Sequence, residues 1–514
     1  MKSTAKTVGL VMIITLCSRL LSFLSTTVYM TFFGVNYAEI NIYTYAIKLP
    51  NILFTILGTS LTITVIPIFA GYIGTNEKER AFKFADNVIS LSMVLTLLLS
   101  ALGIAAAPAV VLLTGFKDQN YGFAVTALRI MFPIMVFYAL NFILQGILQS
   151  LGKYNMPALV SIPSSMVLIL YVYTLGSKFG VMGLLIATFV GLSLQALILI
   201  PPVMNAGYRF RPSFDYKNED IKRALRLIPP ILIATSAYQL NMLFNLTVTA
   251  NFKNAVTLMS FVQDILLYSV LVLIYSVTAV VFPKLTMLAA RNDMEGFKSS
   301  LTRILKTIFY LTIPAAFGFI AVRYPLMHLF ELGKITPDNV SLASRILALY
   351  ALGITGISVK EVVDRAFYSL NDTVKPAVNS VIIMLVNIGS TLVLKRFLGV
   401  LGVPLAYTIS GVTGGVVILY MIWKKVGGFD VRDMALNLSK VIISSAVMLI
   451  GVTALNSWIS GHVYGSGLTD RAVKLLLPVA AGGTVYFICT YVLKVDEAVD
   501  AFNKIRLKLK ALRA

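Results

Sequence analysis

The chain is a succession of apolar runs, each long and nearly free of charge. Fourteen of them, bounded by charge, glycine or proline, fall at roughly 7–33, 41–72, 86–114, 122–150, 157–177, 181–204, 224–250, 256–289, 301–322, 340–369, 374–396, 400–423, 438–458 and 471–493. A helix rises 1.5 Å per residue and a bilayer core is about 30 Å thick, so about 20 apolar residues cross it. Runs of this length predict spanning helices, which satisfy every backbone polar group without water. Composition agrees: 58% of the 514 residues are hydrophobic and 13% charged, against about 45–50% and 25% in soluble domains. That excludes an ordinary soluble enzyme and a disordered chain. The expected fold class is an all-α polytopic membrane protein of about fourteen helices.

Charge orients the helices. The chain carries 43 Lys+Arg against 22 Asp+Glu, a net of +21. On a soluble protein that excess would suggest nucleic acid. Here the bases sit between apolar runs, which points to lipid headgroups and to cytoplasmic loops. They cluster in even-numbered loops: Lys78, Arg80 and Lys83; Arg209 through Arg226; Lys284 through Lys306; Lys424, Lys425 and Arg432. Both termini are then expected in the cytoplasm. Lys395, Arg396, Arg471 and Lys474 run against the rule. Lys2 and Lys6 precede the first run, but no small-residue cleavage site follows, so a retained first helix is expected rather than a signal peptide. Residues 495–514 place Lys504, Arg506, Lys508, Lys510 and Arg513 opposite apolar residues, the pattern of an interfacial amphipathic helix.

An internal repeat organises the runs. Ser150 through Ala158 aligns with Ser369 through Ala377 at an offset of 219, as does Gly180-Val181-Met182-Gly183 with Gly399-Val400-Leu401-Gly402. Val65-Ile66-Pro67 and Asn76 echo Val281-Phe282-Pro283 and Asn292 at an offset of 216. Matched Pro and Gly are helix punctuators, which low-complexity apolar sequence does not repeat by accident. Six helices per copy preserve membrane orientation, so a parallel repeat around a central cavity is expected, with two helices left over. The expected organisation is an N-lobe at 1–205, a cytoplasmic linker at 206–223, a C-lobe at 224–425, two extra helices within 426–494 and a tail at 495–514.

No nucleotide-binding GxxxxGK[ST] loop is present, so ATP is not the direct energy source by that route. Cys17 and Cys489 lie in apolar runs, and His328 and His462 are the sole histidines, a poor set for a metal. No catalytic residues and no metal are expected. Polar groups at membrane depth are the informative ones, because they are costly there and usually face a cavity. Arg19 either snorkels to the cytoplasm or lines a cavity as a phosphate-binding cation. Lys48 sits beside Pro50, which removes a backbone hydrogen bond and permits bending. Asn241 and Asn245, four apart, share a helix face that Gln239 does not share with Asn241. Asp264 is the clearest acid at depth and could bind Na⁺, accept a proton or pair with Lys48 or Arg19. Lys360–Asp364 and Glu361–Arg365 are each spaced to close as ion pairs. Asp372 in the following turn either caps a helix or joins Asn387 in a monovalent-cation site.

Ser18-Arg19-Leu20-Leu21-Ser22-Phe23, Phe33-Gly34, Lys48-Leu49-Pro50-Asn51 and Phe367-Tyr368-Ser369-Leu370-Asn371-Asp372-Thr373-Val374-Lys375-Pro376 resemble the MurJ/MviN lipid II flippases. These belong to the multidrug/oligosaccharidyl-lipid/polysaccharide exporter superfamily. The resemblance implies two rocking six-helix lobes and a groove on helices thirteen and fourteen for an undecaprenyl tail. It implies a lipid-linked sugar diphosphate as cargo, no cofactor, and membrane potential or Na⁺ or H⁺ as drive, with the bilayer and cell-wall synthesis machinery as partners. Arg19 matches a cavity arginine of the family. The family's second helix-one arginine and the aspartate after it fall here on Ser25 and Thr26, its helix-two arginine on Phe54, and its helix-eight arginine on Asp264 or its neighbour. A diphosphate needs paired cations to leave water. The expected substrate-binding set is therefore Arg19, Lys48, Asn51, Asn241, Asn245, Lys360 and Arg365, with Asp264, Gln239, Asp372 and Asn387 as ion-coupling candidates. Lipid II is the expected cargo, a teichoic-acid, capsule or exopolysaccharide precursor the alternative, and a cation-coupled multidrug antiporter the rival from another transport class.

Overall fold

A computed structural model describes residues 2–215, 219–462, 467–500 and 502–503, and all regular structure there is helical. The tail bases from Lys504 to Arg513 lie outside these residues. In chain order the helices are α1 (Lys2–Phe33), α2 (Ala38–Gly74), α3 (Lys78–Leu112), α4 (Lys117–Met131), α5 (Ile134–Ser150), α6 (Asn155–Leu159), α7 (Ile162–Thr174), α8 (Gly176–Leu197) and α9 (Ile200–Met204). They continue as α10 (Glu219–Thr249), α11 (Ala255–Ala290), α12 (Met294–His328), α13 (Pro337–Ala351), α14 (Ile354–Ser369), α15 (Val374–Leu398), α16 (Gly402–Lys425), α17 (Val431–His462) and α18 (Leu468–Val492).

Each expected apolar run coincides with one helix or with two that meet at a break. The run 122–150 divides at Phe132–Pro133, where proline cannot continue the hydrogen-bond ladder. The run 340–369 bends by 41° between α13 and α14. Among the described residues, ten stretches are long and apolar enough to cross a membrane, or eleven with the bent pair taken as one. One of them, of 52 residues, joins α15 and α16 and so covers two expected runs; α10 is not among the ten, and α11 contributes only the shorter apolar helix Ala255–Leu266.

The repeat is written in the backbone. Left-handed residues pair as Gly34 with Asn254, Asn76 with Asn292, Gly152 with Asn371, Gly180 with Gly399, and Gly207 with Gly427. Ten of the thirteen left-handed residues described fall into these pairs, all 216 to 220 positions apart, which coincidence does not produce. Glycine pays no steric penalty there and asparagine pays less than other side chains. Helices α3 and α12 are both 35 residues long and begin 216 positions apart.

The chain groups into two compact units, Met1–Thr257 with Gly333–Ile335, and Leu258–Leu332 with Thr336–Ala514. In bilayers, helices associate by close packing and hydrogen bonds rather than by hydrophobic burial. In the first unit α1 is stitched to the next helices by serines: Ser18 Oγ donates to the Ala158 carbonyl at 2.8 Å, and Ser22 and Ser165 hydroxyls meet at 3.2 Å. Phe69, Phe84, Ile89, Ile143, Leu148 and Leu199 form a core between its helices. An extended strap at 208–215 lies against α3. Asp86 accepts from the Tyr208 hydroxyl at 2.7 Å and the Arg211 amide at 3.0 Å, Ser90 Oγ from the Ser213 amide at 3.1 Å, and Asn87 from the Asp215 amide at 2.7 Å.

In the second unit α12 packs against α13, α14, α17 and α18. Val322, Met448, Val452, Leu475 and Tyr486 make the core of the α12–α17–α18 contact. Helices α14 and α16 cross at glycines: a Cβ on Gly356 would lie 2.3 Å from the Gly411 carbonyl oxygen. The segment 496–500 is a further helical turn folded back on this unit, with Val495 and Ala498 fully buried.

Candidate functional site

In the first unit, α1 turns three kinds of residue outward from one another. Ser18, Ser22 and Ser25 form the packed side. Ile13, Leu16, Leu20 and Leu24 form an exposed apolar stripe. Arg19 is exposed and shares the flank between them with Thr15, Ser22 and Thr26, at i−4, i+3 and i+7. Its side chain thus stands beside hydroxyls and off the leucine stripe. Lys48 is half-buried in α2, which runs unbroken through Pro50 and Pro67.

Helices α2 and α10 are antiparallel neighbours. The Tyr45 and Thr247 hydroxyls approach to 3.5 Å, and those of Thr44 and Thr257 to 2.8 Å. Lys48 lies three residues beyond Tyr45 and Asn245 two before Thr247. At 1.5 Å per residue they reach about the same level of the bundle. Asn241 is buried, Asn245 half-buried, and the side-chain oxygens of both are buried without a hydrogen-bond partner. A buried unsatisfied amide oxygen costs about 1–3 kcal/mol, a cost usually retained for a reason. Gln239 is half-buried, and Asn51 is exposed with its side chain hydrogen-bonded to Tyr138.

The positions where the resemblance calls for further cations are filled otherwise. Ser25 is buried and its hydroxyl donates to the Ser22 carbonyl at 2.8 Å; Thr26, where the resemblance places an acid, donates to the same oxygen at 3.2 Å. Phe54 is buried among Tyr138 and Phe142.

In the second unit, Lys360 Nζ meets Asp364 Oδ2 at 2.5 Å with both side chains largely buried. Removing one partner of such a pair strands a charge at about 3–5 kcal/mol. The other expected pair does not form: Glu361 and Arg365 make no ion pair among the described residues. The buried Arg365 Nε and Asp364 Oδ1 lack hydrogen-bond partners, which leaves donor and acceptor capacity on α14. Asp264 is half-buried next to Gln263, which lines a small cavity with Leu266, Tyr350, Ser358 and Tyr407.

The expected site joining Asp372 to Asn387 is not assembled. Asp372 precedes α15, accepts from the Lys375 amide at 3.3 Å, and pairs with Lys425 at 3.2 Å. Burial alone would push its carboxyl up, but those two partners outweigh it and hold the carboxyl below the usual range. Asn387 lies fifteen residues further on, about 20 Å along the helix.

Asn387 belongs instead to a polar seam that residue-by-residue reading missed. Asn379, Asn387 and Thr391 are each fully buried along α15. Asn387 Nδ2 donates to Ser410 Oγ at 3.4 Å, while both Asn379 amide atoms, Asn387 Oδ1 and Thr391 Oγ1 have no partner. Neutral oxygens in such a seam can take a water or a weakly held monovalent cation. The signal was present as polar residues eight and four apart inside an apolar run. No group of three or more His, Cys, Asp or Glu residues arranged for a metal occurs among the described residues.

Comparison with known proteins returned one consistent answer. The family model for lipid II flippase MurJ matches residues 29–469. A probable lipid II flippase MurJ of Rhizobium meliloti is 24% identical over 492 residues, covering 93% of this chain and 91% of that protein. One from Vibrio cholerae is 24% identical over 493 residues, covering 92% and 93%. Among solved structures, a lipid II flippase MurJ in an inward closed conformation superposes with a TM-score of 0.79 at 23% identity, covering 95% of this chain and 99% of that one. An inward-facing MATE multidrug resistance transporter of the MOP superfamily reaches 0.67 at 17% identity, covering 80% and 94%.

Proposed function

The chain belongs to the MurJ lipid II flippase family, and we propose that it moves lipid II across a bacterial cytoplasmic membrane, from the inner to the outer leaflet, by alternating access. The family match across residues 29–469 carries this reading. It makes the chain a multi-pass membrane protein of a transporter family. Both termini face the cytoplasm in this proposal, as the loop charges imply.

In this reading Arg19 engages the diphosphate. Its guanidinium fork suits phosphate oxygens; the hydroxyls of Thr15, Ser22 and Thr26 on the same flank donate to backbone carbonyls of α1, so the guanidinium supplies the charged donors there. Lys48, Asn51, Asn241 and Asn245 hold the headgroup in the first unit; Lys360 and Arg365 do so in the second. Coupling to Na⁺ or H⁺ runs through Asp264 or the Asn379–Asn387–Thr391 seam. The undecaprenyl tail rides on α17 and α18, and delivery feeds the cell-wall synthesis machinery.

Complementation of a strain depleted of its lipid II flippase is the deciding experiment. Growth and normal wall synthesis support the reading; lysis with the protein present in the membrane refutes it. The packing of Ser25 and Phe54 at positions where cations would hold a diphosphate favours a second reading, a flippase for a teichoic-acid, capsule or exopolysaccharide precursor. That reading predicts failed complementation together with loss of the corresponding polymer on deletion. Asp264→Asn tests the drive: transport that keeps its dependence on Na⁺, pH and potential removes Asp264 from coupling.

A further inference from the structure

Lys306 sits where the two halves of the repeat diverge. In the first half, Ser90 of α3 binds the strap residue Ser213 through its backbone amide. Lys306 of α12 follows Ser90 by 216 positions, the spacing of Asn76 and Asn292. Asp433 follows Ser213 by 220, the spacing of Gly207 and Gly427. Lys306 and Asp433 are thus the repeat counterparts of Ser90 and Ser213, and they touch as those do. The neutral bond has become an ion pair: Lys306 Nζ lies 2.7 Å from Asp433 Oδ2.

An ammonium has three donors where a hydroxyl has one. Lys306 uses a second on Asp496 Oδ2 at 3.1 Å, in the turn after α18. The first half has no counterpart to α17 and α18. The Lys306 side chain is only 11% exposed, while Asp433 and Asp496 are 54% and 70% exposed, so the ammonium is sheltered and its two carboxylates reach it from the solvent side. Arg303 to Asp500 at 2.8 Å, Asn437 to Glu497 at 3.4 Å and Lys440 to the Lys494 carbonyl at 3.4 Å lie around it. Beneath, the Tyr486 hydroxyl donates to the Tyr310 carbonyl at 2.7 Å. Arg303, Tyr310, Lys494, Glu497 and Asp500 border a cleft of about 1710 Å³ that Lys306, Asp433 and Asp496 also line.

We propose that Lys306 is a positioning residue for transport: one ammonium fastens α12 to the start of α17 and to the turn after α18, so the three helices move as one piece. This rests on the flippase reading, in which α17 and α18 seat the lipid tail. Lys306 acts through those helices and does not bind the cargo's phosphates.

Two measurements on the full-length protein test it. Hydrogen exchange of residues 493–500 needs no cargo. Lys306→Met should speed it by about tenfold or more, since charged hydrogen bonds are lost, and Lys306→Arg should leave it near wild type. Asp496→Asn, which keeps the Asp433 contact, should speed exchange at 493–500 but not at 431–437. Unchanged exchange in both Lys306→Met and Asp496→Asn overturns the fastening. The second measurement is lipid II flipping in vesicles. Lys306→Met should lower the maximal rate and leave half-saturation nearly unchanged. A thiol-reactive cross-link between Arg303→Cys and Asp500→Cys should restore it. Failure of the cross-link to rescue, with exchange at 493–500 brought back to wild type, means Lys306 contacts cargo and overturns the positioning role. If wild type itself moves no lipid II, the cargo reading fails, and the exchange arm still decides the fastening.

Discussion

Replacing Gly356 by alanine tests how this protein holds itself together inside a bilayer. The added Cβ would lie 2.3 Å from the Gly411 carbonyl oxygen, 2.6 Å from its carbon and 2.8 Å from the Val412 Cα, all backbone. Ordinary contact begins at 3.4 Å, so α14 and α16 must part by about 1.1 Å, and a gap near that size forfeits a quarter to a half of each facing atom's dispersion energy. Overpacking costs about 1–3 kcal/mol, while alanine regains about 0.5–1 kcal/mol over glycine within a helix. The expected net is a loss of up to about 2 kcal/mol, or about 2–4 °C in apparent Tm per kcal/mol for a unit of this size. Lys360 stands one turn from Gly356 and should shift with the helix, so transport should fall further than stability. The control is Gly122→Ala on α4, where nothing lies within 4 Å and the position is exposed. The same substitution there should stabilise by about 0.5–1 kcal/mol. Thermal unfolding of the purified protein in detergent, read by tryptophan-independent light scattering, measures both. A Gly356→Ala protein that melts with or above wild type refutes the close-crossing argument.

Asp86→Ala should free the 208–215 strap, because its carboxylate holds both the Tyr208 hydroxyl and the Arg211 amide. Trypsin cleavage after Arg209 or Arg211 should then quicken by about tenfold or more, whereas Ser213→Ala, whose bond is made by its amide, should leave the rate unchanged. Asp372 has its folded carboxyl held low, so its stabilisation is present above the unfolded value of about 3.9 and fades as pH falls through the folded value. Wild type should melt above Asp372→Asn at neutral pH, and the gap should begin to close as pH falls below about 4; a gap of the same size in an otherwise identical pair of proteins carrying Lys425→Met removes the Lys425 pair as its cause. Arg19→Ala should abolish complementation while the protein still reaches the membrane, and normal growth of that strain would exclude the phosphate contact.

The expected ion pairs on α14 mark where sequence reasoning stops. Spacing allowed Lys360–Asp364 and Glu361–Arg365 alike, and only the first closes, because helical spacing brings residues near but the surrounding helices decide each rotamer. Asp372 and Asn387 illustrate the same limit. Both are polar residues near one helix, yet a distance of about 20 Å along the axis and the reach of Lys425 from α16 send them to different partners.

Apolar runs longer than a bilayer is thick, and glycines and asparagines recurring at near-constant separation, fixed in advance that this chain is helical, membrane-spanning and duplicated. Those properties are local: they follow from hydration of backbone groups and from which residues tolerate a left-handed turn. Tertiary structure alone decided that Asn379, Asn387 and Thr391 share a buried polar seam, that Ser25 and Phe54 fill places a cation would need, and that Lys306 is shared between two carboxylates. Each depends on which helix lies opposite, and no periodicity within one segment carries that information.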